Sequence, residues 1–438
     1  MLNDPLSSSA IRRMLLVAVY FLAAAASFSG YFSKWHFRDD MPEASLPKML
    51  DGTAERPYVY RQLLPAIANG IERALPAQLK QRADALLLDN DPSHHPISRM
   101  YSNTPDSRDP RYALRYYLIY AMSFASLLLA LFALRTVCLD VQSDGVGATL
   151  APLAFAAGLP LLLTEGGYFY DMSELLFMAL AVHFALKGRM LPLIVLTALA
   201  TWNKESFLFF TLTLYPFLRG TLSIKSTLRI QVVLLAVATG VNVLIKLKYA
   251  QNTGGLVYIH LMDNLRFLAN PVSYLHFEYN YGVPTPKGFN VINLVLIAVL
   301  VKTAWSRLAP SVRQSLMIGG VVNVPLFLAF CFRDELRNFS LLYVGFVVIL
   351  CANIDAYVES RYRLGRVAVQ IPDAGLHSAQ ALPDSAPRTD LPKDSFAGCR
   401  LLRASIVARF AGYAHERAKA ALTPRADARN TAAADRRE

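Results

Sequence analysis

Apolar positions in this chain fill whole windows instead of alternating or recurring in narrow stripes. The windows 14–32, 116–134, 147–164, 230–245, 291–305, 316–332 and 340–354 are nearly continuous in Leu, Val, Ile, Phe and Ala. A helix that is apolar all round is buried in a large core or spans a bilayer, and these windows approach the roughly 20 residues a span needs. Three shorter runs, 172–186, 190–202 and 206–218, have polar or charged residues at their ends. Such segments are tolerated where they face other helices or a water-filled cavity. The pattern predicts an all-α integral membrane protein of about ten transmembrane helices, or about eight if 190–218 is a re-entrant pair.

Two long stretches separate the windows. The first, 33–111, opens on Lys34-Trp35-His36-Phe37-Arg38-Asp39-Asp40. Within it Leu63, Leu64, Ile67 and Ile71 recur at helical spacing, with Gln62, Asn69, Glu72 and Arg73 opposite. That spacing predicts a helix lying in the membrane interface. A second amphipathic stretch covers 78–88, and the proline-bearing 90–110 reads as irregular. The other long stretch, 249–290, is rich in tyrosine and holds His260, Asp263, His276 and Glu278. It reads either as a cover over a site or as an aromatic belt at the headgroups. Residues 1–356 thus form a polytopic domain. The segment 357–438 reads as a cytoplasmic, largely disordered tail, with one surface helix suggested by Leu402, Ile406, Phe410 and Tyr413.

Composition agrees. Apolar residues make up 54% of the 438 and charged ones only 17%, with a mean hydropathy of +0.32, which excludes an ordinary soluble domain. The net charge of +12 would point to nucleic acid in a soluble protein, but no nucleic-acid motif accompanies it. The cations instead fall in alternate loops: Arg12 and Arg13, Arg135, Lys187 and Arg189, Arg219 to Arg229, Arg307 and Arg313, and Arg361 to Arg366. By the positive-inside rule that side is cytoplasmic, and both termini lie there. Lys246 and Lys248 run against the scheme. The partner is the lipid bilayer with its anionic headgroups. The first window reads as an uncleaved anchor, and the four scattered cysteines form no disulfide framework. Nothing in the sequence sets an oligomeric state.

Charges at the ends of apolar segments need a reason, because a charge at mid-bilayer costs about 2.5–3.5 kcal/mol on insertion scales. Asp171 and Glu174, three residues apart, share a face if a helix starts near Asp171. Capping of that helix by Asp171 and Ser173 is the competing structural account. Lys204 and Glu205 close the run 190–202. On a helix Arg333 and Arg337 share a face and Asp334 can pair with Arg337, while a plain snorkelling or capping cluster accounts for them equally.

The order of these features resembles the GT-C superfamily of polytopic membrane glycosyltransferases, including little-characterised bacterial members. The resemblance covers about 12–356. It rests on Asp39-Asp40 just after the first span, an interfacial helix over 58–75, and the motifs Tyr58-Val-Tyr-Arg61-Gln-Leu-Leu-Pro, Tyr170-Asp171-Met-Ser-Glu174-Leu and Asn203-Lys204-Glu205-Ser. The chain departs from the larger members in lacking a big outer C-terminal domain. The resemblance implies sugar transfer from a polyprenyl-phosphate-linked donor on the outer face of a bacterial inner membrane. In that chemistry cations meet the leaving phosphate and a carboxylate takes the acceptor proton. Arg61, Lys204, Arg333 and Arg337 are the candidate cations. Asp39 or Asp40 is the candidate base, with Asp171 and Glu174 as rivals or as ligands of a divalent metal. The alternative is a non-enzymatic polytopic protein, either a transporter of lipid-linked or anionic solutes or an envelope-assembly partner. No internal repeat supports a transporter. His36 and His183 are poor candidates for an acyltransferase.

Overall fold

A computed structural model of the chain describes residues 5–369, apart from 90, 92–94, 102, 143–144 and 280–281. These described residues are all-α but for one short hairpin. It opens on α1 (Pro5–Trp35), and a lateral layer follows: α2 (Leu46–Asp51), α3 (Leu63–Ala74), α4 (Ala77–Leu88) and α5 (Pro96–Met100). The first bundle half is α6 (Ala113–Gln142), α7 (Val146–Leu162), α8 (Phe169–Leu186) and α9 (Met190–Asn203). Two short helices, α10 (Phe207–Thr213) and α11 (Tyr215–Thr221), lead to α12 (Ile224–Lys248). The next connection holds α13 (Leu261–Ala269) and the hairpin of β1 (Phe277–Glu278) and β2 (Thr285–Pro286). The chain closes with α14 (Val291–Ala304), α15 (Pro310–Phe330) and α16 (Tyr343–Val369).

Among the described residues, six segments are long and apolar enough to cross a membrane: Ala10–Trp35, Ala113–Val141, Phe169–Leu186, Ile224–Lys248, Pro310–Phe330 and Leu336–Arg361. Val146–Leu162 and Met190–Asn203 are shorter apolar helices. The window 206–218 is not one helix. It breaks at Leu214, ahead of Pro216, into two seven-residue pieces, as expected where a proline lacks the N–H that would continue the ladder. The region expected to be irregular, 90–110, contains α5 and a 3-10 turn at Pro105–Ser107. The expected tail begins as a continuation of α16 to Val369. The rest of it, with the stripe around Phe410, lies outside the described residues.

Helix ends meet in two groups. At one end Trp35 Nε1 donates to the Leu163 carbonyl (2.7 Å), Ser123 to the Phe169 carbonyl (3.1 Å) and Lys204 to Asp171. At the other, Asp140 on α6 binds His183 and Lys187 (2.7 and 2.6 Å), while Asp355 on α16 accepts the Gly147 N–H (2.8 Å). Gly147 is required at this crossing, since a Cβ there would lie 2.5 Å from the Cys351 carbonyl. Between the ends the core is dense in rings. Phe28, Phe32, Phe37, Tyr116 and Tyr120 lock α1 to α6 with centroids 4.9–6.4 Å apart. Because the bilayer offers no hydrophobic drive between helices, such close packing and the polar bonds at the ends hold the bundle together.

Candidate functional site

The charged motifs of the sequence converge at the end where α1, α7 and α9 finish and α6, α8 and α16 begin. The last turn of α9 delivers Lys204 to the first turn of α8. Its Nζ lies 2.6 Å from Glu174 Oε2 and 3.2 Å from Asp171 Oδ1, so the i, i+3 spacing does place both carboxylates on one face. Asp171 also caps its own helix, accepting the Tyr168 N–H (2.9 Å), so both accounts of this residue hold together. Its other neighbour is Arg337 (3.3 Å). Glu174 accepts the Ser206 and Ser340 hydroxyls as well (2.7 and 3.0 Å).

Arg61 arrives from the lateral layer, pairing with Glu205 through both Nε and Nη2 (3.1 and 2.6 Å) and bonding the Tyr170 hydroxyl. Burial opposes the charged form of Glu205, but the Arg61 guanidinium outweighs it and holds the carboxyl at about 2. Tyr58, Tyr168 and Tyr170 stack in series, 6.1 and 5.1 Å apart. The Arg337 guanidinium lies 4.5 Å from the Tyr168 ring centre, a favourable cation–π distance.

Arg337 sits differently from its expected place. The segment 331–335 is a turn and not helix, with Asp334 at φ +65°, so Arg333 and Arg337 share no helical face. Arg337 pairs with Glu335 (2.5 Å) and Asp171 instead of Asp334. Asp334 turns away, accepting the Phe289 N–H (2.7 Å), and burial lifts its carboxyl above the ordinary range. Arg333 is exposed, lies 5.7 Å from the Phe332 ring centre and has no acidic partner among the described residues.

The network of Asp171, Glu174, Glu205, Glu335, Arg61, Lys204 and Arg337 therefore sets four carboxylates against three cations, each already paired. The space between Asp171, Glu174 and Arg337 is only about 10 Å³. A divalent metal does not fit there. The two carboxylates are occupied by Lys204, Arg337 and the serines, and no group of three His, Cys, Asp or Glu suited to a metal occurs among the described residues.

Asp39 and Asp40 part company. His36 and Arg38 take left-handed backbone (φ +50° and +60°), so the segment is a tight turn and not an extended strand. Asp40 points to solvent and pairs with Arg38 (3.2 Å). Asp39 is tucked inward. Its Oδ2 accepts the Tyr116 hydroxyl (3.0 Å), and its buried Oδ1 has no hydrogen-bond partner among the described residues. Burial first, and the nearby Asp106 charge second, push the Asp39 carboxyl up to about 7. Arg38 lies 5.2 Å from the Trp35 ring centre and 5.6 Å from that of Tyr168.

Sequence reasoning missed Arg38, Tyr116, Tyr168 and Glu335. For Arg38 the signal was present, a cation adjoining the acidic pair. A larger cavity of about 470 Å³ opens at the same end, lined among others by Glu165, Asp263, Arg266, His276, Lys287 and Arg333. Arg333 is thus the one expected cation that faces open space. No protein-family profile, curated protein or solved structure matches this chain.

Proposed function

We propose that the chain is a membrane-embedded glycosyltransferase of the GT-C kind, using a sugar carried on a polyprenyl phosphate, with Asp39 as general base. The observation that carries this reading is the Asp39 carboxyl itself: close to the end of the first span, buried, with one oxygen free to accept a proton and titration lifted to about 7. In the step, the acceptor hydroxyl gives its proton to the Asp39 carboxylate while its oxygen bonds the anomeric carbon. The sugar–phosphate bond breaks and the phosphate leaves with the electron pair. Arg38, next to Asp39 in sequence, is the cation that could meet that charge, because its only ion-pair partner among the described residues, Asp40, is exposed. The test is transfer by purified protein from a polyprenyl-phosphate sugar to added acceptor. No turnover with any such donor, in folded protein, would overturn the reading.

A second reading has its own support. A charge network that closes on itself, with no room for a ligand, is what a purely structural fastening looks like. That favours a non-enzymatic transporter or envelope-assembly protein. Retention of a surface-glycan phenotype by Asp39→Asn would select this reading.

The site is read as facing the outside of a bacterial inner membrane, with ten crossings and both termini cytoplasmic. Support comes from the basic loops and from the helix ends. Val146–Leu162, at 1.5 Å per residue about 26 Å long, must run the height of the bundle to join the two groups of end contacts described above. Single cysteines at Thr253 should be labelled by a membrane-impermeant maleimide in intact cells, and cysteines at Ser226 and Ser311 should not. Labelling at Ser226 or Ser311 would invert the orientation.

A further inference from the structure

The 470 Å³ cavity contains none of the groups used by Asp39 chemistry, and it lies in the range typical of small-molecule sites. Its cations are unequally engaged. Lys287 is closed onto Glu165. Arg266 lies 4.0 Å from Asp263 with both side chains largely exposed, and Arg333 has no acidic partner among the described residues. Two guanidinium groups are therefore available beside carboxylates, Asn270 and His276, which suits a phosphate carrying hydroxyl groups.

The geometry of α13 says where such a ligand comes from. Asp263, Arg266, Phe267 and Asn270 recur at i, i+3, i+4 and i+7 and line the cavity, as neighbours on one helix face must. Met262 and Leu265 form the adjoining row and are exposed, as are Val272 and Leu275 just beyond. The third face is bolted to α15: Asn264 Nδ2 donates to the carbonyls of Phe327, Leu328 and Cys331 at 2.8–3.3 Å, and the His260 N–H donates to Ala329 (2.9 Å). Helix α15 itself exposes Val321 and Val324 on a membrane-crossing segment. The apolar row of α13 thus continues a lipid-facing surface, with the polar cavity at headgroup height.

We infer that this cavity holds the phosphate headgroup of an anionic, hydroxyl-bearing membrane phospholipid, with its acyl chains lying along Met262, Leu265, Val272 and Leu275. Arginine suits the task, since its planar fork meets two phosphate oxygens at once. The proposal does not involve Asp39, and it stands or falls independently of sugar transfer.

Native mass spectrometry of the full chain released from nanodiscs, together with competitive delipidation, would read it. Phosphatidylglycerol should be retained at least about tenfold more tightly than phosphatidylcholine. Arg266→Gln/Arg333→Gln should remove that preference, because each charge-assisted hydrogen bond contributes roughly a factor of ten. Both residues are exposed, so the variant should fold, and unchanged thermal stability in detergent would confirm it. Glycerol 3-phosphate, offering the same phosphate without chains, should not compete at equal concentration. Equal retention of the two lipids, an unchanged preference in the double variant, or full competition by glycerol 3-phosphate would each overturn the lipid assignment.

Discussion

Lys204→Met should leave little folded protein. Its ammonium is the only cationic partner of Glu174 among the described residues and one of two for Asp171, and all three side chains are at most 8% exposed. Removing one member of a buried ion pair strands the other charge, at a cost of about 3–5 kcal/mol, which is a large share of ordinary folding stability. The Ser206 and Ser340 hydroxyls would remain on Glu174, but neutral donors do not balance a buried carboxylate. The check is the fraction surviving a heat step in detergent, read by size-exclusion chromatography. Lys204→Met/Glu174→Gln should recover most of the loss, because Asp171 keeps Arg337 and the glutamine needs no counter-charge. If the single variant melts like wild type, the network is not holding α8, α9 and α16 together.

The residues of this fastening were legible in the sequence while their pairing was not, and the reasons are specific. Asp171, Glu174 and Lys204 were readable because spacing on a helix and the cost of charge in hydrocarbon act locally. The Arg61 to Glu205 pair spans 144 positions, and no local rule selects one partner over that distance. The error at Arg333 to Arg337 has a different origin. The apolar runs on both sides imply continuous helix, but the backbone turns at Asp334 with positive φ, a conformation that aspartate tolerates better than most residues and that apolar periodicity does not reveal. The Phe289 N–H and Thr164 hydroxyl bonds to Asp334 fasten that turn, and neither residue is near it in sequence. The long helices were legible from the apolar windows because each such helix satisfies its own backbone. The break at Leu214 needed only the proline two residues later.

Asp39→Asn should lower transfer by about 10² to 10⁴, the usual worth of a general base, and should also change how the protein answers to pH. In the wild type the base must be ionised, so the rate at limiting substrate should rise with pH through about 7, where burial and Asp106 have placed the carboxyl. The asparagine variant should lack that rising limb. Stability runs the opposite way. A carboxyl whose folded value lies above its ordinary 3.8 binds its proton more tightly in the native state. Its contribution is fully present below about pH 3.8 and is lost as pH rises through about 7. The wild type should therefore lose stability over that window relative to Asp39→Asn, which keeps the Tyr116 hydrogen bond without the buried charge. Asp40→Asn is the control, since Asp40 is exposed and, among the described residues, paired only with Arg38. It should keep the limb at pH 7. A purely structural Asp39 would show the stability effect without the rate effect. If Asp39→Asn and Asp40→Asn both turn over at wild-type rates while a folded Asp171→Asn is inactive, the proton acceptor is in the central network and the assignment to Asp39 is wrong.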